Sequence, residues 1–320
     1  MFDLSNLDAF VRVAEHGSFS TAADELHLTQ PAVSKRVAAL EITLNTKLFD
    51  RIGRTVSLTE TGRTLLPRAQ RILADVRDSR RALADLSGEV AGNLVVGTSH
   101  HVGLHRLPGA LRSFTARYPK VELDLRFLDS ELIVEQVERG EIEIGIATLP
   151  PVRPVGIQCR EIWLDDLVPV GNPGHPLASL ERVTWSELAA FRAILPGHGT
   201  YTRRIIEAAL RPLGVELQVA LATNYLETIR MMVSVGLGWS ILPRQMLAAD
   251  VVALPVTGLA LSRQLGALHH LARTLSNAAH ALLGELEMSA DPPTARDVEA
   301  GRRPAGNQWQ PRRHGLPVRR

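Results

Sequence analysis

Apolar residues recur every three or four positions from Leu4 to Ala14, and this spacing predicts an amphipathic helix with one buried face. Gly17 then ends the helix, because glycine readily adopts the left-handed conformation that closes a helix. Ser18 is suited to cap a second, short helix over residues 19–26. The chain is therefore predicted to begin with two short helices separated by a tight turn.

A third helix is predicted to start after Thr29, a capping residue, with Pro31 in the first turn, where its missing N–H costs nothing. On a helical wheel its apolar residues fall within one narrow arc, which we assign to the protein interior: Val33, Val37, Leu40 and Leu44. The opposite face is small, polar and cationic, and such a helix fits the major groove of DNA, which is about 12 Å wide. We therefore select these residues as candidate DNA contacts: Gln30, Pro31, Ser34, Lys35 and Arg36.

The polar side chains on this face suit contact with DNA in different ways. The Gln30 amide can pair with adenine through two hydrogen bonds, and Lys35 can reach guanine acceptors or a phosphate. Arg36 lies near the edge of the apolar arc, so contact with the DNA backbone or packing suits it better than base reading. The alternative is that these helices only pack within a larger domain.

Two short β-like runs on either side of Gly53 predict a hairpin, which would form the wing of a winged helix-turn-helix. Arg51 and Arg54 lie near its tip, where arginine can contact phosphates or enter a minor groove. The alternative is that they are ordinary solvated surface residues. Between residues 31 and 58 five basic residues outnumber two acidic ones, so the basic patch is small and local.

This N-terminal segment closely resembles the winged helix-turn-helix of LysR-type transcriptional regulators in order and spacing. The runs that carry the resemblance are Ala22-Ala23, Leu26, Thr29 to Ser34, Leu40-Glu41, Leu44, Leu48-Phe49, Arg51 and Leu58 to Gly62. The resemblance implies a DNA-binding domain over residues 1–58 that acts on double-stranded promoter DNA.

A long amphipathic helix is predicted next, capped by Thr59 and continuing to Leu86. Its apolar residues follow spacings of four and three, the pattern of a coiled-coil seam: Leu65, Ala69, Ile72, Val76, Leu83 and Leu86. At about 1.5 Å per residue the helix would extend roughly 42 Å, which favours pairing with a second chain. We expect residues 59–88 to form a homodimer, and Pro67 can kink the helix. Burial of the helix within its own chain is the alternative.

Strand-like and helix-like segments alternate beyond Gly92 at the pitch of βαβ units, which predicts an α/β domain with a largely parallel sheet. Strands are predicted at residues 94–97, 121–127, 142–147, 167–170, 193–195 and 215–221, and helices at 130–139, 184–191, 202–210 and in the stretch that ends near 118. The pattern restarts near residue 167, so two α/β lobes are the simplest arrangement.

Hydroxyl and imidazole side chains follow several of these strands, at the sheet edge where open α/β domains bind ligands. Helix N-termini at such an edge offer free N–H groups to anions. We therefore predict that a small carboxylate, phosphate or sulfate is bound as an effector by these residues: Thr98, Ser99, His100, His101, Thr148, Thr200 and Tyr201. Alternatively, Ser99 and Thr200 only cap their helices, and the histidines lie in a loop or are packed inside a lobe.

The second half of the chain also resembles the effector domain of the same family, which has the two-lobed α/β fold of periplasmic binding proteins. The likeness extends over about residues 2–288 and implies an effector domain at 92–288, with lobe I at 92–163 and 266–288 and lobe II at 164–265. In the family's sulfur-assimilation regulators, hydroxyl side chains hold an anionic effector at the positions of Ser99, His101, Thr148 and Thr200, with a threonine in place of His101. The resemblance further implies a homotetramer and contact with RNA polymerase.

Motifs of enzymes are missing from the sequence. It has no GxSxG elbow, Walker loop or dinucleotide fingerprint, and no HExxH or CxxC metal pattern, so we expect no catalytic residue, metal or cofactor. Neighbouring residues such as His100 and His101 diverge by about 100° on a helix and are poorly placed to share a metal. The remaining alternative to a ligand-responsive regulator is a DNA-binding protein that ignores small ligands.

Composition agrees with this interpretation. The 320 residues carry a formal charge of +2, so DNA affinity must come from local placement of charge. Cys159 is the only cysteine, which excludes an intrachain disulfide and a peroxide sensor with two cysteines in one subunit. We expect a cytoplasmic protein without a signal peptide or membrane span. Residues 289–320 are rich in Asp, Pro, Gly and Arg and are predicted to be disordered, either inert or adding nonspecific DNA affinity.

Overall fold

The computed structural model describes residues 3–52, 55–85 and 88–290. Its N-terminal domain contains α1 (Leu4–His16), α2 (Phe19–Glu25), α3 (Gln30–Leu44), β1 (Phe49–Ile52) and β2 (Thr55–Leu58). The predicted helix ends are confirmed, because Gly17 closes α1 with a φ of 59° and the Ser18 hydroxyl accepts a hydrogen bond from the Thr21 N–H. The second helix ends at Glu25, one residue earlier than predicted.

A single apolar core joins the three helices to the wing and to the start of the next helix. Three of the four residues predicted on the inner arc of α3 are fully buried, and Leu44 is half-buried. Phe49 of β1 packs against Phe10 and Phe19, with ring centroids 5.4 and 5.7 Å away. These contacts fix the wing against α1 and α2.

Helix α4 (Glu60–Asp85) continues unbroken for 26 residues, about 39 Å at about 1.5 Å per residue. Thr59 caps it as predicted, because its hydroxyl accepts from the Gly62 N–H at 3.0 Å and donates to the Lys47 carbonyl at 2.8 Å. Pro67 lies inside the helix without ending it.

The predicted apolar seam of α4 divides into two parts. Leu65 and Ala69 pack into the core of the N-terminal domain, so the alternative of burial within the chain holds for this half. Ile72 and Leu83 are exposed, Leu83 by 70%. Leu86 lies outside the described residues. The later half of the described seam is therefore the part that is open to a second chain.

The middle of α4 also contacts the second domain. The Gln70 amide donates to the carboxylate of Glu15 on α1 at 3.1 Å and to that of Glu141 in the second domain at 3.0 Å. Arg273, near the end of the second domain, donates from Nε to Asp78 Oδ2 at 2.6 Å. The long helix is thus hydrogen-bonded to both domains.

The second domain alternates strands and helices along the chain. In order these are β3 (Gly92–Thr98), α5 (His100–His105), α6 (Leu107–Arg117), β4 (Val121–Phe127), α7 (Ser130–Arg139), β5 (Ile144–Thr148), β6 (Ile157–Gly171), α8 (Trp185–Ala189), β7 (Ala193–Leu195), α9 (Tyr201–Leu210), β8 (Val219–Ala222), α10 (Leu226–Ser234), β9 (Ser240–Pro243), β10 (Val252–Ala253), β11 (Leu261–His270) and α11 (Asn277–Met288). Short 3₁₀ helices lie at Arg211–Leu213 and Arg244–Met246.

Seven strands form one mixed sheet in the order β10-β6-β11-β5-β3-β4, with β9 also paired to β6. β3 is parallel to β4 and β5, but β11 is antiparallel to β5 and β6, as are β9 and β10 to β6. The prediction of a largely parallel sheet is therefore wrong for β6, β9, β10 and β11, whereas β7 and β8 of lobe II form a separate parallel pair. Antiparallel pairing arises where β6 and β11 pass from one lobe to the other.

Lobe I contains β3, β4, β5 and helices α5, α6, α7 and α11, and lobe II contains α8, α9, α10 and strands β7 to β9. β6, 15 residues long, joins them together with β11, although the sequence predicted a strand only over 167–170. Asp165 of β6 lies opposite Arg263 of β11 in this crossing ladder, and the register shifts just beyond, between Leu265 and Gly266.

Several other predicted boundaries are also wrong. The helical stretch before residue 118 is two helices, α5 and α6, which meet at Arg106 because Pro108 starts a new helix. The strands predicted at 142–147 and 215–221 begin two and four residues later. No helix in the described part of the chain is long and apolar enough to cross a membrane.

Candidate functional site

Helix α3 presents the face that was predicted to contact DNA. Thr29 caps it by accepting from the Ala32 N–H at 3.4 Å. Gln30, Pro31 and Lys35 are exposed, and Ser34 and Arg36 are half-buried. The Gln30 amide donates to the Ser34 hydroxyl at 3.1 Å, so these two side chains lie together at the outer start of the helix.

Glu41 ties α3 to the wing. Its carboxylate accepts from the Leu48 N–H at 2.8 Å and from the Phe49 N–H at 3.4 Å, and it pairs with Lys47 at 2.9 Å. Burial alone would raise the pKa of Glu41, but these donors lower it below its ordinary value. Glu41 therefore neutralises Lys47 and leaves Lys35 as an exposed cation on the outer face of α3.

Of the two arginines predicted at the wing tip, only Arg51 lies within the described residues. Arg51 lies on β1, opposite Val56 of β2, which confirms the hairpin. Arg54 lies outside the described residues. Their contact with DNA stays a prediction.

A cleft of about 50 Å³ lies between the two lobes. Six of the seven predicted effector residues line it: Ser99, His100, His101, Thr148, Thr200 and Tyr201. Thr98 does not line the cleft, because it is fully buried and its hydroxyl donates to the Ser99 carbonyl at 3.3 Å. A volume of this size holds a few water molecules, so a larger guest requires the lobes to separate.

The N-terminal ends of four helices converge on this cleft. Ser99 precedes α5, Asp129 precedes α7 and Thr200 precedes α9, while Leu226 begins α10. Helix N-termini carry partial positive charge and free N–H groups, so their convergence favours bound negative charge. The Thr200 hydroxyl accepts from the Arg203 N–H at 3.3 Å and donates to the Gly197 carbonyl at 2.9 Å, which is the capping role weighed as its alternative. Ser99 makes no such cap bond.

The chain's own carboxylates occupy part of this positive region. Glu131 of lobe I accepts a hydrogen bond from the Tyr201 N–H, at the start of α9 in lobe II. Asp129 of lobe I accepts from the Asn224 amide of lobe II at 2.6 Å. Burial raises the pKa of Glu131 although hydrogen bonds oppose the change, and burial raises the pKa of Tyr201 to about 12. The hydrogen bonds accepted by Glu131 and Asp129 join lobe I to lobe II across the cleft.

His100 and His101 lie in different surroundings. His100 is half-buried and its ring stacks on Phe127 at 5.3 Å and contacts Tyr225 at 4.6 Å between ring centroids. His101 is buried, with Nδ1 3.4 Å from Glu227 Oε1 and Nε2 3.0 Å from the Gln245 amide nitrogen. The interpretation of a packed histidine thus fits His101, which lies between the lobes.

A buried ion-pair network forms the floor of the cleft. Asp165 accepts from Arg263 Nη2 and from Arg106 Nη2, each at 2.9 Å, and His101 Nε2 is 3.5 Å away. Burial would raise the pKa of Asp165, but the hydrogen bonds and the Arg263 charge hold it well below its ordinary value. Arg263 Nη1 donates to Thr202 Oγ1 at 3.0 Å. The guanidinium that faces the cleft is therefore already neutralised.

Sequence reasoning missed seven of the cleft's lining residues: Asp129, Ser130, Glu131, Pro196, Asn224, Leu226 and Arg263. Thr202 also lines the cleft, next to the predicted Thr200 and Tyr201. The rule that ligands bind beyond the carboxyl ends of strands would have found Asp129 to Glu131, because they directly follow β4. Arg263 gave no local signal, since it lies inside a strand.

The described residues contain a group of potential metal ligands beside the cleft, formed by His101, His105 and Glu227. Their ligand atoms lie within 4.8 Å of one another. His105 is exposed by 41%, and its Nε2 is 3.0 Å from Glu227 Oε1.

Comparisons with known proteins cover both domains. Residues 4–63 match the model described as "Bacterial regulatory helix-turn-helix protein, lysR family", and residues 87–290 match "LysR substrate binding domain". An uncharacterized HTH-type transcriptional regulator from the ibpB-leuC intergenic region of Azotobacter vinelandii is 65% identical over 106 residues, covering 33% of this chain and 74% of the relative. The uncharacterized regulator YfeR of Shigella flexneri is 30% identical over 88% of this chain and 92% of its own length.

Solved structures share the fold along nearly the whole chain. A full-length OxyR variant from Pseudomonas aeruginosa superposes with a TM-score of 0.69 at 22% identity, covering 92% of this chain and 98% of that one. The order of the elements, the winged helix-turn-helix and the two-lobed second domain agree with both family models. The chain therefore belongs to the LysR family of DNA-binding transcriptional regulators, with an N-terminal helix-turn-helix domain and a C-terminal effector-binding domain.

Proposed function

We propose that this regulator reads promoter DNA through the outer face of α3 and that a small carboxylate held between its lobes sets its DNA affinity. The observation that carries the proposal is the cleft, where four helix N-termini from both lobes meet. A ligand that contacts both lobes stabilises one arrangement of the lobes over another, as a regulatory switch requires. The described residues offer no nucleophile with an assembled base, so the cleft suits binding rather than catalysis.

DNA reading is assigned to the exposed start of α3. The exposed Gln30 amide is hydrogen-bonded to the Ser34 hydroxyl, which holds it at the start of α3, where it can pair with an adenine edge. Lys35 is unopposed on the same face and suits guanine or phosphate. Arg36, Arg51 and Arg54 are assigned to the DNA backbone, with Pro31 lining the groove wall.

A double substitution tests this assignment. Ser34→Ala with Lys35→Ala removes two side chains from this face without touching the buried arc, so it should weaken specific DNA binding at least about 30-fold, given about 1–3 kcal/mol for each lost base contact. Oligomeric state should not change. Lys120→Ala removes another exposed lysine, one that pairs with Glu89 in the second domain, and serves as the control. Equal affinity of the double variant and the control in fluorescence anisotropy at fixed salt would refute the assignment.

The chemistry of the cleft narrows the effector class. An effector carboxylate would compete with Glu131 for the N–H groups at the start of α9. It would also accept hydrogen bonds from the hydroxyls of Ser99, which makes no cap bond, and Thr148. Once displaced, Glu131 and Asp129 would accept hydrogen bonds from donors on the same ligand. We therefore assign the effector to small carboxylates that also carry hydroxyl or ammonium groups.

Ligand binding is tested by thermal shift of the full chain against small anions, amino acids and hydroxylated or aromatic carboxylates. A ligand at about 100 times its Kd stabilises the folded state by roughly 2.7 kcal/mol, which is readily detected. Ser99→Ala should remove the response to an active carboxylate while DNA binding persists. Thr200→Val is a poorer probe, because it also removes a helix cap worth about 1 kcal/mol. Failure of every carboxylate in the panel would favour a regulator that ignores ligands.

Dimerisation is assigned to the exposed later half of the α4 seam. Ile72 and Leu83 are exposed and Val76 is half-buried, and together they form an apolar stripe beyond the part that packs on the N-terminal domain. A dimer would place two α3 helices on a two-fold-related DNA site. A tetramer through the effector domains and contact with RNA polymerase belong to the same proposal.

A further inference from the structure

Two histidines and a glutamate from opposite lobes meet at the edge of the cleft. His101 and His105 are one turn apart on α5 of lobe I, and Glu227 is in the first turn of α10 of lobe II. Glu227 Oε1 lies 3.4 Å from His101 Nδ1 and 3.0 Å from His105 Nε2. One carboxylate oxygen therefore faces one ring nitrogen of each histidine.

These separations fit a shared metal ion. A tetrahedral site with bonds of about 2.0–2.1 Å to nitrogen and oxygen places its ligand atoms roughly 3.3 Å apart. The potential ligand atoms here all lie within 4.8 Å of one another, and the two measured separations bracket that value. We propose that His101, His105 and Glu227 bind a divalent transition-metal ion of the zinc class that bridges the two lobes.

The surroundings of His101 supply the support that a metal-bound imidazole needs. When Nδ1 binds a metal, Nε2 carries the proton and requires an acceptor. Asp165 Oδ2 lies 3.5 Å from Nε2, and the Gln245 side chain lies 3.0 Å from it and offers its oxygen if the amide is turned over. Asp165 is itself fixed by two arginines. The buried histidine is thus oriented with Nδ1 toward Glu227.

The donor set indicates the kind of ion. Two imidazoles and one carboxylate suit zinc, cobalt or nickel, whereas calcium and magnesium prefer oxygen ligands alone. His105 is at the surface, so the remaining coordination position faces solvent, as in sites where three protein ligands leave room for water. The ion would hold α5 against α10 and so favour closed lobes, independently of any carboxylate in the cleft.

A hydrogen-bonded latch is the competing account of the same three residues. In that account His101 donates from Nδ1 to Glu227 and accepts from the Gln245 amide, and no metal is needed. The two accounts differ in one observable. A latch gives no stoichiometric metal binding that depends on these side chains.

The test is calorimetric titration of the chelator-treated full-length protein with zinc, followed by the visible absorption spectrum with cobalt. We expect one ion per chain at this site and a rise in Tm that a chelator reverses. His105→Asn and Glu227→Gln should each weaken zinc binding at least about 100-fold, since even loss of a supporting residue costs about 10–100-fold. Both residues are partly exposed, so the variants should fold.

His198→Asn is the matched control, because His198 is another exposed histidine beside a glutamate, 3.9 Å from Glu207. It should bind zinc as tightly as the wild type does. Absence of stoichiometric zinc binding, or binding that is unchanged in both His105→Asn and Glu227→Gln, would overturn the proposal.

Discussion

Asp165→Asn is the substitution that most sharply tests the buried network under the cleft. Asp165 and Arg263 are 2% and 4% exposed, and Asp165 is held by Arg263 and Arg106 through hydrogen bonds of 2.9 to 3.2 Å. Asparagine has nearly the same shape but carries no charge, and its NH₂ group would face guanidinium donors. The change therefore leaves a buried arginine without its counter-charge.

Breaking a buried ion pair by removing one partner costs about 3–5 kcal/mol. For a domain of about 200 residues, 1 kcal/mol corresponds to a Tm change of about 2–4 °C, so we expect Tm to fall by about 6–20 °C. Thermal unfolding followed by circular dichroism or calorimetry on the full chain measures the change. If acetate pairs with Arg263 in the Asp165→Asn variant, adding acetate should partly restore the Tm of that variant.

Asp124→Asn provides the control, because Asp124 and Arg126 form a similar two-bond pair whose side chains are 40% and 41% exposed. Exposed pairs contribute about 0–1 kcal/mol, so its Tm should fall by less than about 4 °C. Equal losses of Tm in the two variants would refute the reasoning that burial makes the Asp165 pair structural.

Three further predictions follow from particular contacts. Gly62→Ala should destabilise the N-terminal domain by about 1–3 kcal/mol in denaturant unfolding, because the new methyl group would collide with the Leu48 carbonyl. The control is Gly109→Ala, at a helical glycine with open space around it, which should be neutral or stabilising; equal losses of stability in the two variants would contradict this prediction. Folding raises the pKa of Glu131, so the wild type loses stability as this carboxyl ionises between about pH 4 and 8, whereas Glu131→Gln does not. The Tm of Glu131→Gln should therefore rise relative to that of the wild type over this range, and a Tm difference that is independent of pH would count against this. Leu83→Lys should shift sedimentation toward the monomer by placing a charge on the exposed seam, whereas Lys120→Ala should not, and an unchanged oligomer would move the dimer contact elsewhere.

Short-range signals explain why the N-terminal domain was predictable to within a residue at most boundaries. Ser18 and Thr29 cap the starts of α2 and α3, and Gly17 and Asn45 close α1 and α3 in the left-handed conformation, so each signal acts within a few residues. The inner arc of α3 is equally local, because helical periodicity alone decides which side chains face inward. Signals of this range can be recognised from the sequence alone.

The crossing strands were not predictable in the same way. β6 carries Glu161, Asp165 and Asp166 among its apolar residues, so only its last part reads as a strand. Asp165 is buried because β11, nearly 100 residues later, places Arg263 beside it. Pairing between distant segments decides both the strand and the polarity of its neighbours.

Only part of the cleft was predictable, because some of its residues are placed by local sequence and others by contacts between the lobes. Residues at the carboxyl ends of lobe I strands, such as Ser99 after β3 and Thr148 at the end of β5, could be assigned to the sheet edge by rule. Asn224 and Glu227 of lobe II meet lobe I only because the lobes close on each other, which brings Asn224 to Asp129 and Glu227 to the histidines of α5. The one-turn spacing of His101 and His105 is visible in the sequence, but their shared partner is not.

In the proposed function, occupancy of the cleft controls DNA affinity. Fluorescence anisotropy of the full-length protein on its own promoter fragment, with and without a saturating carboxylate selected by thermal shift, tests it most directly. Coupling between two sites is typically about 1–3 kcal/mol, so we predict a change in Kd of at least about fivefold in the wild type and none in Ser99→Ala. An identical Kd with and without the bound carboxylate would contradict the account.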